Sequence, residues 1–139
     1  MSAGFAITEH TADVGVRAWG DSEAAVFEQA ARAMFSLICD PGTVGRREVL
    51  DVAVEAPDHE LLLVAWLNEL LFLFESRRLL LSEFEVLELG ATTLRARASG
   101  EALDERRHAL CGGVKAATYH HLWLGQRDGR WEAQVILDV

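Results

Sequence analysis

The stretch Glu9-His10-Thr11-Ala12-Asp13-Val14-Gly15 places an imidazole, a hydroxyl and a carboxylate directly before a run of alternating residues. Apolar side chains recur at positions 14, 16 and 18, which predicts a half-buried strand that begins near Asp13. At the other end of the chain, Val135-Ile136-Leu137-Asp138-Val139 closes a second alternating strand with a second carboxylate. We expect the fold to bring Asp13 and Asp138 together so that they hold a divalent cation.

The chemistry of these end residues suits a hard cation, which prefers carboxylate, carbonyl and water oxygens as ligands. Val139 adds a carbonyl or a free carboxylate directly beside Asp138. Aspartates at strand ends are also commonly solvated or capping groups, and the sequence leaves that second interpretation open.

Length and composition indicate an ordinary globular protein. The chain has 139 residues, and we assign residues 1–139 to a single domain. Its formal net charge of -9 repels phosphate backbones and disfavours direct, non-specific binding to nucleic acid. Cys39 and Cys111 each stand alone, without the paired spacing of a zinc ribbon or a disulfide scaffold.

Two features of the sequence bear on its location. The longest apolar-rich run, residues 61–74, is shorter than the roughly 20 residues that a membrane-spanning helix needs. The N-terminal residues do not combine a charged segment with a following apolar run, so they do not indicate a signal peptide. We therefore expect a cytoplasmic protein that has no membrane partner.

Hydrophobic periodicity gives the order of the elements. A helix is predicted from Asp21 or Ser22 to Ile38, and a second helix over about residues 57–75. Strands are predicted around residues 49–54, in a hairpin that turns near Gly90, and over residues 114–124 and 131–137. This order predicts an α+β fold, a single compact domain with a mostly antiparallel or mixed sheet and two main helices packed on it.

The second predicted helix is apolar on nearly all sides. Its polar arc is interrupted by a stripe formed by Leu61, Ala65 and Phe72. A central helix buried on two faces explains this pattern, and so does a stripe that contacts another protein; the sequence does not separate the two.

Several basic side chains are candidates for site chemistry. Among the histidines, His10, His108, His120 and His121 match no zinc-binding spacing. Strand alternation predicts that the adjacent His120 and His121 point to opposite faces, so at most one of them can join a given site. Lys115, the only lysine, is positioned to contact a phosphate or a carboxylate, or to be solvated at a strand edge.

Five blocks of the sequence together resemble the archease family, in order and in spacing. They are His10-Thr11-Ala12-Asp13-Val14-Gly15, Trp66-Leu67-Asn68-Glu69-Leu70-Leu71, Gly100-Glu101 with Asp104 and His108, Val114-Lys115-Ala116-Ala117-Thr118-Tyr119-His120, and Ile136-Leu137-Asp138-Val139. The blocks cover almost the whole chain, which makes the resemblance specific.

The resemblance implies an archease-like fold and an accessory protein rather than an enzyme. Archease-like proteins activate the GTP-dependent tRNA-splicing RNA ligase, which joins a 3'-phosphate or cyclic phosphate end to a 5'-hydroxyl end. They promote guanylylation of the ligase and its multiple turnover, so that RNA is a partner only indirectly, through the ligase. The resemblance also implies a divalent cation (calcium in crystals, magnesium or manganese as cellular alternatives) held here by Asp13 and Asp138 with Val139, and a functional lysine at Lys115.

Two other functions fit the same residues. The first is a small metal-dependent phosphoester hydrolase, in which the cation activates water and His10 or His120 moves protons. No P-loop, dinucleotide-binding or G-x-S-x-G signature supports a catalytic centre of its own. The second is a chaperone-like binding module whose cation is structural and whose stripe of Leu61, Ala65 and Phe72 contacts the partner.

Overall fold

A computed structural model describes residues 2–9 and 13–139, without the side chain of Glu9. The elements follow one another as β1 (Gly4–Glu9), β2 (Asp13–Gly20), α1 (Glu23–Ile38), a 3-10 turn (Pro41–Thr43), β3 (Glu48–Glu55), α2 (His59–Arg77), β4 (Leu79–Leu89), β5 (Thr93–Ala102), β6 (Ala116–Arg127) and β7 (Arg130–Asp138).

The strands form two antiparallel sheets, one in the order β1-β2-β7-β6 and the other in the order β3-β5-β4. Helix α1 packs against β2 and β4, and helix α2 packs against β6 and β3, so each helix touches both sheets. The predicted α+β class with two helices on antiparallel sheet is therefore confirmed, with the strands divided between two sheets. No helix in the described part of the chain is both long and apolar enough to cross a membrane.

Capping residues fix where each helix begins. Ser22 precedes α1 and its hydroxyl accepts a hydrogen bond from the Ala25 N–H at 3.1 Å. Asp58 precedes α2 and its carboxylate accepts from the Leu61 N–H at 2.9 Å. Helix α2 ends at Arg77, and the capping residue Arg78 adopts the left-handed conformation with φ of 54°.

Helix α2 is a central, largely buried helix, one of the two interpretations that its apolar pattern left open. Trp66 is fully buried, and its indole N–H donates to the Phe27 carbonyl at 2.9 Å, which ties α2 to α1. Along the predicted stripe, Leu61 and Ala65 are half-buried, whereas Phe72 is 61% exposed. Only the C-terminal end of the stripe is therefore open to a partner.

Helix α2 also covers the free edge of β6. The Asn68 amide donates to the Ala117 carbonyl at 3.2 Å and accepts from the Ala117 N–H at 2.8 Å. Eight residues earlier in the helix, the Glu60 carboxylate accepts from the Leu124 N–H at 3.2 Å. These side chains occupy backbone groups that an edge strand would otherwise leave unpaired.

Strand β6 departs from the predicted alternation between Thr118 and Trp123, where its pairing with β7 is interrupted by a bulge. Within this bulge His121 has a φ of 52°, in the left-handed region. The prediction that His120 and His121 point to opposite faces is wrong, because their ring centroids lie only 4.0 Å apart. The bulge also puts Trp123 on the same face as Thr118.

Candidate metal centre

The two terminal carboxylates lie directly opposite each other. Strands β2 and β7 pair in a register that places Asp13 against Asp138 at the end of the sheet. Directly opposed residues of an antiparallel pair point to the same face, with Cβ atoms about 4.5–5.5 Å apart. Asp13 is half-buried and Asp138 is exposed, so solvent and ions reach the pair.

Two like charges in this arrangement destabilise a sheet unless something neutralises them. A divalent cation does so, and the oxygen ligands present suit calcium or magnesium better than a softer metal. Within the described residues no group of three or more His, Cys, Asp or Glu side chains could hold a metal ion. A cation bound by Asp13 and Asp138 would therefore complete its shell with main-chain oxygens and water.

Lys115 and Val139 lie at the same end of the sheet. The Lys115 N–H donates to the Asp138 carbonyl at 2.7 Å, and Val139, which is 41% exposed, directly follows Asp138. Ala116 pairs with Asp138 and therefore shares its face, so strand alternation directs the exposed Lys115 side chain away from that face. The backbone of Lys115 thus fixes the position of Asp138, while its side chain remains available to a partner.

The predicted histidines are not all at this site. His10 lies outside the described residues, so its place in the structure is not assigned. His120 is exposed in the bulge of β6, separated from Asp138 by the pairing of Thr118 with Ile136. The structure therefore does not bring His120 to the two carboxylates.

A buried polar cluster anchors the loop that leads to Lys115. Glu101, at the end of β5, accepts hydrogen bonds from the Gly45 N–H and from the Arg107 guanidinium at 2.5 Å. The buried His108 places its Nε2 3.1 Å from Glu101, and its Nδ1 accepts from the Asp104 N–H at 2.9 Å. Because Nδ1 is an acceptor, the Nε2 atom carries the proton, and its N–H donates a hydrogen bond to the Glu101 carboxylate.

This cluster keeps Glu101 ionised. The hydrogen bond from Gly45 is the main cause, and together with Arg107 and His108 it overcomes the effect of burial and lowers the pKa of Glu101 to about 2.

The sequence pointed to Glu101 and His108 only through the family resemblance, and it did not predict the hydrogen-bond partners of Asn68. A polar amide within an otherwise apolar helix was the signal that could have pointed to Asn68.

Comparison with known proteins identifies the family. The Archease protein family (MTH1598/TM1083) matches residues 5–139. Protein archease of Methanosarcina mazei is 41% identical over 135 residues, covering 94% of this chain and 92% of the relative. Protein archease of Pyrococcus abyssi is 42% identical over 136 residues, covering 94% of this chain and 95% of the relative.

Two solved structures share the fold. The solution structure of protein 1598 of Methanobacterium thermoautotrophicum superimposes with a TM-score of 0.85 at 37% identity, over 98% of this chain and 99% of that one. The crystal structure of an archease from Thermotoga maritima, described as a possible chaperone, gives a TM-score of 0.60 over 95% and 94% of the two chains. At 18% identity this second likeness concerns the fold alone. From the family match and these close relatives, the chain belongs to the archease family.

Proposed function

We propose that this protein is a cytoplasmic accessory protein that activates the GTP-dependent 3'-phosphate/5'-hydroxyl RNA ligase of tRNA splicing and RNA repair. It acts through a divalent cation, calcium, magnesium or manganese, held by Asp13 and Asp138 with the neighbouring Val139, and it is not itself an enzyme. The observation that carries the proposal is the register of β2 and β7, which sets Asp13 opposite Asp138. Membership of the archease family supports the choice of partner.

The bound cation would neutralise triphosphate charge when the ligase is guanylylated, an effect worth several kcal/mol in phosphoryl-transfer chemistry. The protein's own residues position that charge. Asp13 and Asp138 present an acidic, solvent-accessible end of the sheet, and the Lys115 N–H holds the Asp138 backbone at 2.7 Å. The exposed Lys115 side chain then contacts a phosphate or a carboxylate of the ligase.

The direct test compares Asp13→Asn and Asp138→Asn with Asp128→Asn. Asp128 is exposed in the β6–β7 turn and has a φ of 53°, a conformation that asparagine tolerates well, so Asp128→Asn removes a charge without strain. Guanylylation and turnover of the ligase are measured with GTP across a series of divalent metals. We expect both site variants to lose stimulation while Asp128→Asn retains it.

A second measurement on the isolated protein tests the cation itself. Calcium should raise the midpoint of thermal unfolding of the wild type, and Asp13→Asn should lose that increase. Without divalent metal, Asp13→Asn should be at least as stable as the wild type, because the like-charge pair is removed. If Asp13→Asn still restored multiple turnover, the proposed role of the cation would be wrong.

The exposure of Phe72 favours one alternative, a chaperone-like module whose cation is only structural. In that case Phe72→Ser should abolish capture of the ligase, whereas Asp13→Asn should leave both capture and stimulation intact. Turnover of a phosphoester by the purified protein alone would instead support the hydrolase, although His120 does not lie at the two carboxylates.

A further inference from the structure

The outer face of the β1-β2-β7-β6 sheet carries a cluster of arginines around one buried carboxylate. Glu132 is only 5% exposed at its side chain, and its Oε1 lies 2.8 Å from the Arg130 Nη2 and 2.9 Å from the Arg130 Nε. Its Oε2 lies 3.1 Å from Arg17 and 4.0 Å from Arg127. Three guanidinium groups against one carboxylate leave two net positive charges on this face.

Two indole rings lie beneath these arginines, because small residues leave them room to lie flat on the sheet. A Cβ on Gly4 would meet the Trp19 ring at 2.7 Å, and a Cβ on Gly125 would meet the Trp123 ring at 3.2 Å. The guanidinium carbon of Arg130 lies 5.0 Å from the centre of the Trp19 ring. That of Arg127 lies 4.7 Å from the centre of the Trp123 ring.

The arginines are therefore ordered before any ligand arrives. Cation–π contact with an indole and ion pairing with Glu132 restrict side chains that are otherwise among the most mobile. Arg17, Arg127 and Arg130 nevertheless remain 44%, 55% and 32% exposed, with N–H groups that Glu132 does not use. Binding of a ligand to these arginines therefore costs little of the conformational entropy that is usually lost when an arginine side chain is immobilised.

The surroundings favour an anion despite the net charge of -9. On β1, the residues that share this face are Gly4, Ala6 and Thr8, which carry no charge. Asp128 lies in the turn beyond Arg127, and the carboxylates of Asp13 and Asp138 lie at the far end of the sheet. At physiological salt, charges further away than about 8 Å are largely screened, so Asp13 and Asp138 contribute little here. Asp128 is the neighbour of Arg127 and offsets part of the positive charge, which leaves the cluster with a net positive charge.

We propose that this arginine–tryptophan face binds single-stranded RNA directly. The guanidinium groups donate to phosphate oxygens, and those of Arg127 and Arg130, positioned over their indole rings, stack against bases. A cavity of about 270 Å³ is large enough for a phosphate with part of its sugar, and it is lined by Arg17, Trp123, Arg127, Gln134 and the ion-paired Glu132. Flat stacking surfaces beside ordered cations suit a nucleic acid better than an acidic peptide, which offers charge without planar bases.

The face continues toward the proposed cation. Arg17 and Asp13 are four residues apart on β2 and point to the same side of the sheet, about 14 Å apart at the rise of an antiparallel strand. The inference concerns RNA binding by the isolated protein and does not rest on the proposed function.

The test is a titration of a labelled oligouridine of about 12 nucleotides, followed by fluorescence anisotropy, between about 50 and 200 mM salt. EDTA is present and the ligase is absent, so the result is independent of the cation and of ligase activation. The variants are Arg127→Gln and Trp123→Ala. The matched control is Arg97→Gln, which removes an equally exposed arginine (55%) from an ion pair with Asp51 on the other sheet.

We expect Arg127→Gln and Trp123→Ala each to weaken binding by roughly five- to tenfold, and Arg127→Gln to reduce the salt slope by about 0.7. Arg97→Gln should bind as the wild type does. Glu132 keeps Arg17 and Arg130 in Arg127→Gln, so that variant should unfold at the wild-type midpoint. The absence of saturable binding at low salt would overturn the inference, and so would an equal loss in Arg97→Gln. Displacement of RNA by polyglutamate of equal charge would assign the face to acidic peptides and also overturn it.

Discussion

Replacing Asn68 by alanine should destabilise the protein measurably although this residue contacts no proposed ligand. Its amide makes two hydrogen bonds with the backbone of Ala117, of 2.8 and 3.2 Å, at the edge of β6. Each such bond contributes about 1 kcal/mol net, and a buried backbone group left without a partner costs about 1–3 kcal/mol. Alanine recovers up to about 0.7 kcal/mol through its higher helix propensity.

These contributions give a net loss of about 2 kcal/mol in the free energy of unfolding. With a typical urea m-value of about 1–3 kcal/mol/M, the midpoint of unfolding should fall by about 1 M. Equilibrium urea unfolding followed by tryptophan fluorescence measures this shift. The matched control is Glu69→Ala on the same helix, half-buried like Asn68, where a change within about 0.5 kcal/mol is expected.

Asn68→Asp separates the two hydrogen bonds. The carboxylate still accepts from the Ala117 N–H but faces the Ala117 carbonyl with an oxygen, so this variant should also be destabilised. An Asn68→Ala midpoint equal to that of Glu69→Ala would refute the reasoning, because the amide would then contribute nothing that water does not replace.

Three further predictions follow from single sites. Gly100→Ala should destabilise the protein by about 3 kcal/mol or more, because the new Cβ would lie 1.8 Å from the Leu80 carbonyl oxygen. The control is Gly113→Ala, which should be near neutral because no atom lies within 4 Å of its Cβ, and thermal unfolding compares the two variants. Because the pKa of Glu101 is lowered to about 2, the stabilisation that its ionised form gives to the fold is present above the unfolded pKa of about 4.5 and is lost as pH falls toward 2. In Glu101→Gln the free energy of unfolding should therefore depend less on pH over that range, as measured by acid unfolding. Burial lowers the pKa of His59, but its hydrogen bonds to Glu23 and Gly90 raise the pKa overall. The stabilisation that protonated His59 gives to the fold is therefore present below about pH 6.5 and is lost as pH rises through the raised pKa. Glu23→Gln should remove this decline in the free energy of unfolding, measured by unfolding at a series of pH values.

Much of the fold could be predicted because its elements follow the periodicity of their own residues. The alternation after Asp13 and before Asp138 gave both strands of the candidate site, and caps at Ser22 and Asp58 mark the helix starts. The pairing of Asp13 with Asp138 was expected from the chemistry of the chain ends, not from any local pattern. That the two residues share a register is a property of the whole sheet, which no window of sequence contains.

The features that the sequence did not predict depend on contacts between distant segments. The bulge in β6 lies between the residues that bond to Asn68 and Glu60 of α2, and His121 within it has a left-handed conformation. The arginine cluster also escaped prediction, because Arg17 is more than a hundred residues from Glu132 and each is unremarkable in its own strand. Alternation assigns a face to each residue, but it does not identify the residue on the neighbouring strand.

The candidate metal centre depends on residues that cannot touch the cation. Lys115 donates its N–H to the Asp138 carbonyl, and the chain on either side of Lys115 is held by the Glu101–His108 cluster and by the bonds between Asn68 and Ala117. Loosening either anchor makes the segment around Lys115 more mobile, and this segment fixes the Asp138 backbone. The side chains of Asp13 and Asp138 are themselves unchanged. Cation affinity should therefore fall in Asn68→Ala even where the protein is fully folded, and calcium titration at low temperature measures it. An unchanged affinity would mean that pairing between β2 and β7 alone sets the geometry of the two aspartates.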